Sequence, residues 1–283
     1  MQDLQTFLSV RKMLVNFLEE DIGTEDITSE SILSADREAK AEIVCKSDTP
    51  AIVCGLEEAA MLFDICGCKC ELVVDDGTKV KNGSCVMIIT GKARSILKAE
   101  RVSLNLIMRM SGIASETRRL VDYAESTQVL ATRKTAPGLR YFDKKAVVVG
   151  GGGAHRMRLD EMVLIKDNHV ALAGSPAECI KLAKKNVGST TKIECEVKST
   201  KEAIEAILAG ADIVMLDNFT PEQAAAAIKQ ITKMGLREKA KIELSGGINS
   251  KNIPHYAKAK PDFVSLGYIT HSARAIDFSL EII

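Results

Sequence analysis

The chain has 283 residues, 46% of them hydrophobic, and carries 38 basic and 38 acidic side chains. That length allows one large domain or two modest ones with a sizeable core, and a net charge of zero excludes a chain-wide basic field that would collect nucleic acid. No apolar run approaches the ~20 residues a bilayer span needs, and charges punctuate the N-terminal apolar residues, so a cytoplasmic protein with neither nucleic-acid nor membrane partners is expected.

In chain order, residues 2–19 have the pattern of an amphipathic helix, followed by the polar, turn-rich EDIGTEDITSESIL. AEIVCK reads as a strand, and AIVCGLEEAAMLFDIC as a strand passing through Gly55 into a helix. CELVVDDGTKVKNGSCVMIITG alternates apolar and polar residues around Asp-Gly and Asn-Gly, which predicts antiparallel hairpins and an α+β-like N-terminal region. ARSILKAERVSLNLIMRMSGIASETRRLVDYAEST is long and helical, with a break expected at Ser111-Gly112. Arg101 and Arg109 fall in its first half, where a solvated face or an intrahelical ion pair is the plain reading of either. Eight cysteines sit mostly inside apolar runs. Cys66, Cys68 and Cys70 lack the second pair a structural zinc site needs, so packing thiols are expected there.

From Gln128 the pattern changes to six short apolar strands, VLATRK, MVLIK, KIECEV, IVMLD, KIELS and DFVSLG, alternating with helices. Ser175-Pro-x-Glu178, Ser199-x-x-Glu202 and Thr220-Pro-x-Gln223 fit capping boxes, and Gly210 a helix stop. Repeated strand–helix units of this size imply a parallel sheet, and their number favours an open or closed α/β barrel (TIM-like) over a doubly wound sheet. The expected division is an N-terminal domain over residues 1–112, with 272–283 packing back on it, and a barrel over residues 113–271.

The chemistry gathers where the strands end. Arg133-Lys134, Lys166, Glu196, Asp217, Ser245 and Gly267 each close a strand, and Gly150–Gly153 leads into His155-Arg156. In α/β barrels the C-terminal rim assembles the active site from several strands. Arginine forks match carboxylates, so Arg133, Arg156 and His155 suit a ligand bearing one or more of them; Lys134 and Lys166 suit phosphate or diphosphate. Ser245-Gly246-Gly247 and Ser265-Leu266-Gly267 fit a backbone phosphate cradle. Glu196 and Asp217 suit Mg2+ held through water and substrate, or sugar hydroxyls. Glu194, two residues earlier on the same strand face, suits either a ligand contact or an ion pair with a rim lysine. A phosphate-binding isomerase or aldolase would leave the arginines unused, and a silent binding protein would need no such intact rim.

TRKTAPGLR, GGGGAHRMRLDEMVLIKDNH, AILAGADIVMLDNF, IELSGGIN and VSLGYITHSA, preceded by KAERVSLNLIMRMSGIAS and EEDIGTEDITSE, closely resemble the quinolinate phosphoribosyltransferase family. The likeness runs nearly end to end. It implies an N-terminal α/β (α+β) sandwich, an open α/β barrel, and a reaction in NAD biosynthesis. In that reaction the phosphoribosyl group of phosphoribosyl pyrophosphate passes to quinolinate with loss of CO2. The resemblance also implies a homodimer with active sites shared between subunits, further assembly of dimers into a hexamer being left open. By that likeness Arg101 reaches the neighbour's substrate. Arg101, Arg133, His155 and Arg156 would hold quinolinate. Lys134, Lys166, Glu196 and Asp217 would be catalytic and, with Ser245, Gly246, Gly247, Ser265 and Gly267, would hold phosphoribosyl pyrophosphate, with Mg2+ as cofactor. Ala154 and Arg158 depart from the family's usual residues. A non-carboxylating nicotinate phosphoribosyltransferase is the nearest alternative, and the number of cations favours the dicarboxylate.

Overall fold

The structure is a computed structural model describing residues 4–283, so Gln2 and Asp3 of the expected first helix lie outside the described residues. Two compact units emerge. The first holds the residues up to Glu116 together with Ala136–Gly150 and Ser272–Ile283; the second holds Thr117–Thr135 and Gly151–His271. No described helix is long and apolar enough to cross a membrane.

The first unit opens with helices α1 (Leu4–Ile22) and α2 (Ile27–Ile32), the latter started by Asp26, whose carboxylate accepts the Ser29 N–H. Strands β1 (Glu38–Cys45) and β2 (Ala51–Ile52), helix α3 (Leu56–Ile65), and strands β3 (Lys69–Leu72), β4 (Lys79–Val80) and β5 (Cys85–Lys92) follow. Helix α4 (Ala93–Tyr123), which belongs to this unit as far as Glu116, helix α5 (Arg140–Val149) and the C-terminal strand β12 (Phe278–Ile282) complete the unit's elements. The sheet is ordered β12-β1-β5-β3 and its pairings are antiparallel. Its inward residues Ala41, Ile43, Met87 and Ile89 share a core with Leu56 and Phe63 of α3 and Ile96 and Ile107 of α4. Burying each of the larger side chains contributes roughly 1.5–3 kcal/mol before entropy is counted. The result is helices layered on a sheet, an α/β sandwich.

Three local expectations give way to longer-range contacts. The Asp-Gly and Asn-Gly turns do not close a simple hairpin: β3 pairs β5 directly, while the intervening β4 pairs β2. Ser111-Gly112 does not break α4. The Ser111 hydroxyl bonds the Cys54 backbone, and Gly112 leaves room for the Arg274 carbonyl, so both residues serve packing within a continuous helix. Residues 136–150, read from sequence as part of the barrel, group instead with the first unit. Asp143 of α5, fully buried, accepts Nε and Nη2 of Arg109 at 2.7 and 2.9 Å, so that arginine is paired between helices and not within one. Lys145 of the same helix reaches Glu57 at 2.7 Å and Glu58 at 2.8 Å. Cys68 lies buried against Gly91. Burial pushes the Cys68 thiol up to about 11 and that of Cys70 to about 12, which leaves both as protonated packing groups.

The second unit contains all six anticipated parallel strands: β6 (Gln128–Ala131), β7 (Val163–Ile165), β8 (Ile193–Val197), β9 (Ile213–Asp217), β10 (Lys241–Ser245) and β11 (Phe263–Leu266). Their order is β6-β11-β10-β9-β8-β7. The sheet therefore steps one strand at a time from β7 to β11 and then to β6, as a barrel does, with β6 and β7 left unpaired to one another. Gly153 makes a one-residue parallel bridge to β6, its N–H bonding Val129 at 2.8 Å and its carbonyl accepting from Ala131 at 2.9 Å. The glycine run thus lies along an edge of β6 and delivers the next residues to the rim.

Helices α6 (Asp167–Ala173), α7 (Pro176–Asn186), α8 (Thr200–Ala209) and α9 (Pro221–Lys233) return the chain between strands, and short α10 (Ile253–Ala257) and α11 (Tyr268–His271) flank β11. Ser175, Ser199 and Thr220 each accept the N–H three residues on, and Gly210 closes α8 at φ 90°. Of these three, Thr220 alone has the full reciprocal box, Gln223 returning a bond at 2.9 Å. At the N-terminal ends of the strands, Asp212 and Asp262 accept the backbone N–H of Ile193 and Ile242 on the adjoining strands, both at 2.8 Å. Burial opposes their ionisation, but those N–H groups and the neighbouring Lys192 and Lys241 hold both carboxyls below the usual range. This end of the barrel is fastened, and the other is free for chemistry.

Candidate active site

A cavity of about 810 Å³ opens at the C-terminal ends of the barrel strands. Period-two alternation points Met215 and Asp217 of β9, Glu243 and Ser245 of β10, and Ser265 and Gly267 at β11 toward it. Arg133 and Lys134 enter after β6, Lys166 after β7, and Glu196 from β8. His155 and Arg156 arrive from the glycine run, and Gly246 and Gly247 from the loop after β10. Of the thirteen residues named as holding the two substrates, all but Arg101 line this one cavity, and Glu194 lies buried just behind it. Arg101 belongs to α4 in the other unit, where its side chain is exposed.

The cationic side is built from Arg133, His155 and Arg156. Arg156 is buried, its Nη1 bonding the Met162 carbonyl at 3.1 Å. Burial, and then the neighbouring Arg133, press its pKa downward, against the smaller opposing pull of Glu194 and Glu161. The Arg133 Nε is buried with no hydrogen-bond partner. A donor in that state costs on the order of 1–3 kcal/mol, which an incoming carboxylate would recover.

His155 adopts the left-handed backbone, φ 51°. Its Nε2 stands 3.1 Å from Glu194 and 3.6 Å from Glu243, both fully buried carboxylates. These contacts fall short of hydrogen-bond geometry, and all four carboxylate oxygens are otherwise unpartnered. Burial is the largest influence on the ring and opposes its charge, yet the two carboxylates together raise it to about 9. The Arg156 backbone N–H points at Nδ1 from 2.8 Å, so taking the second proton requires that contact to give way. Glu194 therefore pairs with His155 and not with a rim lysine. Glu243 was overlooked in the sequence, although it stands to Ser245 as Glu194 stands to Glu196, an inward residue one alternation earlier.

The other side carries acids and lysines. Lys166 Nζ bonds Glu196 at 2.9 Å, the lysine half exposed and the acid largely buried. Desolvation, then the charge of Glu196, raises the Asp217 carboxyl, and its neighbour Asn218 donates to it at 2.6 Å. Two neighbouring carboxylates, with lysine bound only to Glu196, form a donor set that fits a divalent cation shared with phosphate oxygens. Lys134 is fixed through its carbonyl, which accepts the Thr270 hydroxyl at 2.8 Å. His169, prominent in the sequence, accepts the Lys166 backbone N–H at 2.9 Å and shapes the start of α6. Tyr268 and His271 also line the cavity and carried no local signal in the sequence.

An open α/β barrel with a cationic cup, two rim acids and two glycine loops at one end defines an anion-binding barrel enzyme of the phosphate-handling kind. Comparison with known proteins narrows this. Residues 26–111 match the model of the quinolinate phosphoribosyl transferase N-terminal domain, and residues 113–281 that of the C-terminal domain. The probable nicotinate-nucleotide pyrophosphorylase [carboxylating] of Methanocaldococcus jannaschii is 44% identical over 278 residues, covering 96% of each chain. That of Methanothermobacter thermautotrophicus is 41% identical over 266 residues, 93% of this chain and 95% of the relative. The crystal structure of NadC from Streptococcus pyogenes superposes with a TM-score of 0.91 at 35% identity, covering 100% of both chains. The chain belongs to the quinolinate phosphoribosyltransferase family.

Proposed function

We propose that this cavity transfers the phosphoribosyl group of phosphoribosyl pyrophosphate to quinolinate, giving nicotinate mononucleotide, pyrophosphate and CO2, as a pentosyltransferase of NAD biosynthesis. The observation that carries the assignment is the buried, unpartnered Arg133 Nε beside Arg156 and His155, in the same cavity as Lys134, Lys166 and the glycine loops. One side suits a pyridine dicarboxylate and the other a polyphosphate.

Arg133, Arg156 and His155 hold the two carboxylates and aim the ring nitrogen at the ribose carbon; such positioning can supply several kcal/mol of barrier lowering. Lys134 and Lys166 face the departing pyrophosphate, and the backbone N–H groups of the Ser245–Gly247 and Ser265–Gly267 loops cradle the 5′-phosphate. Glu196 and Asp217 face the ribose hydroxyls and would be the residues to hold Mg2+. When bound, that ion offsets the negative charge of the leaving group. As the carbon–oxygen bond to pyrophosphate breaks, the ring nitrogen bonds to the ribose carbon and becomes a pyridinium. The positive ring then accepts the electron pair released when the bond to the adjacent carboxylate breaks as CO2, and a proton takes the place of that group.

Arg101, an exposed cation on α4, completes the quinolinate pocket of a second copy, which makes the working unit a homodimer. All eight cysteines are unpaired thiols, which suits a reducing compartment, and the cytoplasm is the location we assign. Incubation with quinolinate, phosphoribosyl pyrophosphate and Mg2+ tests the reading. Nicotinate mononucleotide is expected with quinolinate and not with nicotinate as acceptor. Turnover of nicotinate alone would replace the reading with that of a non-carboxylating enzyme.

A further inference from the structure

Asn218 follows the last residue of β9 and has the left-handed backbone, φ 56°. Three contacts converge on it. Its side-chain amide donates to one Asp217 oxygen at 2.6 Å, and its backbone N–H donates to the Ser245 carbonyl at 2.8 Å. Its carboxamide oxygen occupies the space a side chain at Gly246 would need, with its backbone nitrogen only 3.0 Å from that point. Gly246 itself is at φ 94°, so a residue with a side chain is disfavoured there twice over. Asn is among the few residues other than glycine that enter this backbone region readily, through short local hydrogen bonds of this kind.

We infer that Asn218 is a positioning residue that locks the Asp217 carboxylate and the Ser245–Gly247 loop into one geometry. One carboxylate oxygen is tied to the amide, which leaves the other to face the cavity. The loop is fixed from the same side chain, so the group meeting the ribose and the group meeting the 5′-phosphate keep a set spacing. This inference rests on the activity proposed above and adds a residue to the handling of phosphoribosyl pyrophosphate.

The test is a double-mutant cycle in the full-length chain, begun only once wild-type turnover has been measured. A wild-type chain that makes no nicotinate mononucleotide refutes the activity, whereas the cycle refutes the role of Asn218. Asn218→Gly keeps the backbone conformation available and deletes the amide. Its kcat/KM for phosphoribosyl pyrophosphate should fall on the order of tenfold or more, the value of a hydrogen bond to a charged group, while KM for quinolinate stays within about twofold. In an Asp217→Asn background the same change should cost less than about twofold, because the partner is already altered. Asn218→Asp tolerates the left-handed backbone but sets a second carboxylate against Asp217, and should lose at least as much activity as the glycine variant. Independent, multiplying losses for Asp217→Asn and Asn218→Gly, or near wild-type activity of Asn218→Asp, would overturn the inference. Should the glycine variant fail to fold, the aspartate variant alone discriminates, since a purely conformational role predicts that it is tolerated.

Discussion

Consider Glu196→Gln. In the free site Lys166 Nζ is held by Glu196 at 2.9 Å, with 48% of the lysine side chain and 10% of the glutamate exposed. A half-exposed pair is screened, so its net worth is about 0.3–1 kcal/mol and not the larger figure of a dry ion pair. Glutamine keeps the shape but drops the charge, so Lys166 is released to a competing anion at that saving. Since 1.4 kcal/mol is a factor of ten, pyrophosphate should bind roughly two- to fivefold more tightly when no divalent cation is present. With Mg2+ the order should reverse, because a carboxylate we assign to the ion's hydration shell is gone, and turnover should fall. Calorimetric titration of pyrophosphate, first with chelator and then with Mg2+, measures both signs. Equal or weaker binding by the variant in chelator would show that Glu196 does not mask Lys166.

Arg133→Ala and Arg156→Ala should each raise the dissociation constant of quinolinate by about 10- to 100-fold, as loss of a charge-assisted pair does, and that of phosphoribosyl pyrophosphate by far less; equal losses for both ligands would undo the assignment of sides. Inactive Arg101→Ala and inactive Lys134→Ala chains, mixed under conditions where subunit exchange is verified, should regain part of the activity, and no regain would argue against shared sites. Because folding raises His155 from 6.5 to about 9, its ion pairing stabilises the fold fully below pH 6.5 and is lost as pH rises through 9. Quinolinate affinity should weaken over the same upper range, and a His155→Gln variant should show neither dependence in thermal melts and titrations across pH 6–10.

The barrel was legible because each of its strands is a short apolar run closed by a polar or glycine residue, and because serine, threonine and proline mark its helix starts. The rim followed from the same endings, so twelve of the thirteen residues named as site residues line one cavity without any knowledge of strand order. What failed was whatever depends on distant partners. That residues 136–150 cluster with the first unit could not be read locally, because the pairing of Asp143 with Arg109, and of Lys145 with Glu57 and Glu58, leaves no local pattern. The helix through Ser111-Gly112 continues because Cys54 and Arg274 supply contacts that sequence spacing cannot show. Glu243 hid inside KIELS, although the inward alternation that flagged Glu194 applies to it equally. Asn218 carried a usable signal, an asparagine directly after a strand-terminal aspartate, which only the left-handed backbone makes meaningful.

For this chemistry to run, one cavity must seat a dicarboxylate and a polyphosphate together. A crystal structure with bound quinolinate tests this directly. The account predicts both carboxylates at about 2.7–2.9 Å from donors of Arg133, His155 and Arg156, with Lys134 and Lys166 left free for phosphate. Quinolinate seated against the two lysines, or outside the barrel rim, would contradict it.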